Sequence, residues 1–172
     1  MAGDDPVILA NAALALGDFG EDIGAMMTLV DRALTLNPNF ARGWFISGLL
    51  RNYTGQYDVA IEHVKVSLRF SPRARIGMAY NVIGAAYFAS RRFREAVPKL
   101  LLAIQEDPSF TGPYRHLAAC YAHMGQLDDA RDILNRLRAI TPVVVTDLSR
   151  YRRPEHRELL LSGLRLAAGD PE

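Results

Sequence analysis

Residues 99–108 read KLLLAIQEDP, and the same cadence returns as VDRALTLNP at 30–38, HVKVSLRFSP at 63–72 and ILNRLRAITP at 133–142. Each run reads as a helix. The proline beyond its end blocks continuation, because it lacks a backbone N–H and its ring clashes with the preceding turn. Pro38, Pro72, Pro108 and Pro142 stand 34, 36 and 34 residues apart. A fixed period of this size implies stacked supersecondary units, none of which buries enough apolar surface alone. An aromatic residue follows three of the prolines, Trp44, Tyr80 and Tyr114. The stretch from Pro72 to Tyr80 is two residues longer than its counterparts, which accounts for the single 36.

Small residues recur in step with the prolines. Gly48, Gly84 and Ala118 share one position, where the two helices of a unit must come close. A glycine inside a helix costs about 1 kcal/mol relative to alanine, so its presence implies a packing reason. Ala60, Ala96 and Ala130 suit the same contact from the second helix of each unit. TGQ at 54–56 and MGQ at 124–126 read as turns between paired helices, whereas SRR at 90–92 stands in the third unit without a glycine.

This pattern resembles the tetratricopeptide repeat, a helix–turn–helix unit, over residues 7–142. The second repeat carries the family's marks at Trp44, Gly48, Ala60 and Pro72. The third carries them at Tyr80, Gly84, Tyr87, Ala96, Ala103 and Pro108, and the fourth at Tyr114, Leu117, Tyr121, Ala130 and Pro142. The first keeps Ala33 and Pro38, with GDFGEDIG at 17–24 as its inter-helix turn. The resemblance implies an all-α, right-handed solenoid of about four repeats, at 7–40, 41–74, 75–110 and 111–144. The array then occupies residues 1–146, and residues 147–172 form a linker and a C-terminal capping helix. Trp44 is expected in the core, with Trp44→Ala costing roughly 3–5 kcal/mol.

The capping helix is read from YRRPEHRELLLSGLRLAAG, residues 151–169. Pro154 suits a first helical position, Glu155 and Glu158 the positive first turn, Arg165 the negative end, and Gly169 the position just past it. Leu160, Leu161 and Leu164 make a stripe expected to cover the second helix of repeat four. The tail also resembles the one that closes many bacterial class III adenylate cyclases with tetratricopeptide repeats, through Gly163, Leu164, Arg165, Pro171 and Glu172. Asp170 departs from that pattern, and related tails close some bacterial repeat-bearing transcription regulators. The resemblance implies that this chain is the non-catalytic C-terminal part of a larger protein in bacterial cyclic nucleotide signalling. The alternatives are a free-standing adaptor or scaffold binding an acidic peptide, or the repeat part of a bacterial transcription regulator.

The 172 residues include one cysteine, so no internal disulfide forms and a cytoplasmic location is expected. No apolar run is long enough to span a bilayer, and MAGDDP does not resemble a secretory signal. The formal charge of +1 conceals an asymmetry, because residues 1–40 set Asp4, Asp5, Asp18, Glu21, Asp22 and Asp31 against Arg32 alone. Head-to-tail self-association between an acidic start and a basic remainder is therefore one expectation. A nucleic-acid partner is not, since such proteins are far more basic.

No phosphate loop, nucleophile elbow or HExxH pattern occurs, so no catalytic residue and no cofactor is expected. His116, Cys120 and His123 share a helix face, but no fourth ligand is evident, and they read as packing rather than a zinc site. Binding is the expected chemistry. In the family resembled, the first helices of successive repeats line a groove for a peptide or partner helix. By register that groove holds Asn11, Arg42, Phe45, Asn52, Tyr53, Asn81, Phe88, Arg115 and His123. Asparagine would hold a peptide main chain through donor and acceptor together, and Phe45, Tyr53 and Phe88 would anchor apolar side chains. Arg42 and Arg115 would recruit an acidic peptide. The family's clamp for chaperone tails is absent, since Phe45, Leu49, Val82 and Gly112 hold its positions.

Overall fold

The computed structural model describes residues 5–18, 22–73 and 76–169. Among these it forms nine α-helices and no strand, and the chain divides between residues 74 and 75 into two compact units. The first unit holds α1 (Pro6–Asp18), α2 (Ile23–Leu36), α3 (Ala41–Thr54) and α4 (Tyr57–Phe70). The second holds α5 (Ile76–Ala89), α6 (Phe93–Glu106), α7 (Thr111–His123), α8 (Leu127–Ile140) and α9 (Pro154–Ala168). Consecutive helices pair as hairpins, α1 with α2, α3 with α4, α5 with α6 and α7 with α8. Asp4 and Glu21 of the acidic start lie outside the described residues, as do Asp170, Pro171 and Glu172 of the tail.

The prolines act through the residue before them. Asn37, Ser71, Asp107 and Thr141 cap α2, α4, α6 and α8, with φ of −141°, −146°, −143° and −148°. A residue preceding proline is pushed out of the helical region by the proline Cδ, so each helix stops one residue short. In each case the cap N–H still donates to a carbonyl four residues back, on Ala33, Ser67, Ala103 and Leu137. Three cap side chains then organise the next turn: Asn37 and Asp107 accept from the N–H of Asn39 and Ser109, and Thr141 from that of Val143. The aromatic six residues beyond two of the prolines closes the loop. Trp44 Nε1 donates to the Pro38 carbonyl at 2.7 Å and the Tyr114 hydroxyl to the Pro108 carbonyl at 3.0 Å.

That bond corrects the reading of Trp44. Its ring is half-buried rather than a core side chain, because its N–H must reach the loop. The ring meets His63 edge-on at 4.8 Å.

Within the hairpins of α3–α4, α5–α6 and α7–α8 the same position takes a left-handed backbone. It is Gly55 (φ 86°), Arg91 (φ 57°) and Gly125 (φ 78°). Arg91 thus performs a glycine's task with a side chain that disfavours it. The small residues in the first helices earn their place by close approach. A Cβ on Gly48 would stand 2.5 Å from Val64 Cγ2 and 2.9 Å from the Ala60 carbonyl oxygen, and one on Gly84 would stand 2.6 Å from Leu100 Cδ2. Ala118, Ala60, Ala96 and Ala130 are fully buried.

The tail helix begins with Pro154 at its first turn and ends on Gly169 in the left-handed region. It does not chiefly cover α8, as its leucine stripe led us to expect. It packs mainly on α7 and less on α8. The reason is Gly163: a Cβ there would stand 2.6 Å from Ala119 Cβ and 2.8 Å from Ala119 Cα, so the absent side chain lets α9 lie directly against α7. Leu159, Leu160, Leu164 and Ala167 face inward, whereas Leu161 of the expected stripe is only half-buried.

Candidate interaction surfaces

In the first unit the expected groove residues sit on α1 and α3. Asn11 and Arg42 are exposed and Tyr53 is half-buried. Phe45 and Asn52 are not available as surface contacts, being buried at 9% and 2% exposure; both α1 and α2 pack against α3. The Asn52 Oδ1 lacks a hydrogen-bond partner among the described residues.

Close by, a polar chain ties three helices; of its members the sequence marks only Asp31, and that for its charge. Arg51 of α3 pairs with Asp31 of α2 at 3.0 Å and donates to Ser47, whose hydroxyl lies 3.1 Å from His63 Nδ1 of α4. Burial lowers the His63 pKa, the Arg51 charge lowers it further, and Asp31 opposes. Its one sequence signal is the spacing of Ser47 and Arg51, which places them on one face of α3.

In the second unit the expected residues are Asn81 and Phe88 on α5 and Arg115 and His123 on α7. Three of them meet the chain's own tail. Arg115, expected to be free for an acidic peptide, is 7% exposed and committed. Its Nε donates to the Val144 carbonyl at 2.6 Å, Nη2 to the Val143 carbonyl at 2.7 Å and Nη1 to the Thr111 hydroxyl at 2.7 Å. Burial pulls its pKa below the usual arginine value, with Tyr151 partly opposing. His123 Nε2 lies 2.8 Å from the Leu159 carbonyl of α9.

Phe88 is fully buried rather than an exposed anchor, because ring partners enclose it: Phe93 at 5.7 Å, His116 at 5.4 Å, His123 at 6.1 Å and His156 at 6.1 Å. Asn81 is half-buried, with an Oδ1 that lacks a partner among the described residues.

The histidines here are packing groups. His116 Nδ1 donates to the Gly112 carbonyl at 3.2 Å, which makes it the protonated nitrogen, and Nε2 lacks a hydrogen-bond partner among the described residues. Burial pushes its pKa down to about 4; the Gly112 bond opposes and the Arg115 charge adds to the shift. His156 lies 4.1 Å from the Tyr151 ring and is pushed down to about 3, first by burial and then by His116. Burial raises the Cys120 thiol. Among the described residues no group of three or more His, Cys, Asp or Glu side chains is placed to hold a metal ion.

Elsewhere in the second unit an open cleft of about 630 Å³ is lined by Arg94, Val97, Tyr121, Met124 and Gln126. None of the expected groove residues lines it. Among the described residues no helix is long and apolar enough to cross a membrane.

Residues 87–152 match the family described as Tetratricopeptide repeat. The small glutamine-rich tetratricopeptide repeat-containing protein 2 of Mycosarcoma maydis is 33% identical over 89 residues, which make up 52% of this chain and 25% of that protein. The chain therefore spans about a quarter of that relative's length. Among solved structures, YrrB, a TPR protein with an unusual peptide-binding site, superposes with a TM-score of 0.65 at 20% identity, over 96% of this chain and 86% of that one. A thermophilic TPR protein from Thermus thermophilus gives 0.69 at 22% identity, over 96% and 91% of the two chains. At these identities the likeness establishes the all-α tetratricopeptide fold.

Proposed function

We propose that this chain is a tetratricopeptide-repeat protein and a non-catalytic module that binds polypeptide on the faces formed by its first helices. One observation carries the reading. The second unit already holds a polypeptide on that face, its own tail, through Arg115 on two main-chain carbonyls and His123 on a third. Main-chain hydrogen bonds give affinity whatever the bound side chains are, and stacked repeats present extended concave surfaces for binding. In the first unit, Asn11, Arg42 and Tyr53 offer the corresponding face. Exposed Arg42 supports an acidic segment as its ligand, since guanidinium matches carboxylate geometry. Arg115 does not support it, because its donors are spent on carbonyls.

The test is capture of partners from the source cell on the immobilised chain, with Arg42→Glu, and Tyr53→Ala as a second variant. A partner held by the natural chain and lost by Arg42→Glu, with the oligomeric state unchanged, supports the reading. A partner retained by both variants would remove the first unit's face from it.

The finer placement is as the C-terminal part of a bacterial adenylate cyclase, with a free-standing adaptor as the alternative. What supports the former is the tail sequence around Gly163, Leu164 and Arg165. The mass of the polypeptide in its source cell discriminates: a species far above 19.1 kDa agrees with the cyclase placement, and one at 19.1 kDa contradicts it.

A further inference from the structure

The tail touches the second unit in two different ways. At Val143 and Val144 Arg115 takes both carbonyls; the side chains of Val143 and Val145 stay 50% and 48% exposed, whereas that of Val144 is half-buried against the unit's core. Carbonyls are common to every polypeptide, so this part of the contact asks of sequence only an apolar side chain at the Val144 place. From His156 to Ala167 the contact is mainly through side chains, with Leu159, Leu160 and Leu164 buried around the Gly163–Ala119 approach and one main-chain carbonyl, that of Leu159, met by His123. His123 reaches the Leu159 carbonyl because position 163 is bare: a Cβ there would stand 2.9 Å from His123 Nε2.

Nor does α9 sit as a further repeat would. Inside the unit, α7 packs more on α6, the second helix of the preceding hairpin, than on α5. If α9 continued the stack it would favour α8, and it favours α7. Its position is that of something bound to the first-helix face.

We propose that residues 143–169 are an internal ligand of this face, which in their absence takes a partner segment of the same form. Such a partner enters extended, held by its carbonyls at Arg115, and continues as a helix with leucines on either side of a glycine, since a Cβ at that place would stand 2.6 Å from Ala119 Cβ. The proposal rests on the reading of first-helix faces as polypeptide-binding and adds that one of them is closed in cis. A tether of this length gives the tail an effective concentration on the order of millimolar, so a free competitor binds the closed protein only at such concentrations.

The experiment uses the full chain in two versions that dislodge α9 by different means, Leu160→Asp and Gly163→Leu. A fluorescent peptide of residues 143–169 is the probe, read by anisotropy, and hydrogen exchange follows each helix. The expected result is loss of protection in α9 alone, with α5–α8 still protected. The peptide should then bind both variants at least about tenfold more tightly than it binds the natural chain. Released α9 without tighter binding would overturn the proposal. So would α5–α8 losing protection together with α9, which would make the tail part of the unit's core, and so would α9 staying protected in both variants. Both substitutions lie in the second unit, so failure here leaves partner capture by Arg42 and Tyr53 separately decided.

Discussion

Lowering the pH from 7 to 5 is expected to destabilise the second unit by about 4 kcal/mol, through two histidines buried neutral at the contact between α7 and α9. His116 and His156 are 3% and 2% exposed, with pKa values near 4 and 3 against an ordinary 6.5. Folding therefore depresses both values, and the unfolded chain takes up protons first as pH falls. The stability they represent is complete above pH 6.5, declines through pH 5, and is lost by about pH 4 for His116 and about pH 3 for His156.

At pH 5 each unfolded imidazole is almost fully charged while each folded one is almost fully neutral, which is worth about 2 kcal/mol per residue. Urea unfolding at the two pH values measures it. The single tryptophan, Trp44, lies in the first unit, so its fluorescence isolates that unit while helical circular dichroism reports both. His63 has a lowered pKa beside Trp44 and gives the first unit an acid loss of the same sign. His116→Phe combined with His156→Phe should abolish the second unit's loss. If the second transition moves by less than about 1 kcal/mol, or moves equally in the double variant, the histidines are not held neutral by this contact.

Gly48→Val should destabilise the first unit by roughly 2–3 kcal/mol in urea followed by Trp44 fluorescence, because its Cβ would meet Val64 and the Ala60 carbonyl. Arg91→Gly should stabilise the second unit by roughly 0.5–1 kcal/mol in thermal unfolding, since it relieves a left-handed arginine at an exposed turn. Trp44→Ala should cost about 2 kcal/mol, below the range for a fully buried tryptophan, through lost ring contact and the lost bond to the Pro38 carbonyl. The melting temperature of the purified variant checks this.

The hairpins were legible because their determinants are local. A residue before proline is driven extended whatever lies around it, and a left-handed turn asks for glycine within a few residues of a helix end. Even the misfit SRR turn was visible, and it is where Arg91 takes the strained φ. The register also placed Phe88, Arg115 and His123 on one first-helix face.

What covers that face was not legible. The leucines of the tail show that it must lie against something apolar, but alanines and leucines on α7 and α8 satisfy such a stripe equally. The choice is made by one missing Cβ at Gly163 and by Arg115 finding carbonyls 29 and 28 residues further on. Neither is periodic, so neither shows in a pattern. Trp44 misled for a related reason: size argued for depth, while its indole N–H had to reach the loop.

The contact between Gly163 and Ala119 tests the central claim most directly. In protein labelled at alanine methyls and glycine α-carbons, a strong nuclear Overhauser effect should join the Ala119 methyl to the Gly163 α-protons. Amides of α9 should also exchange as slowly as those of α7. No such effect, with α9 amides exchanging as in a free helix, would mean that the tail does not lie on this face, and the account of the second unit would fall with it.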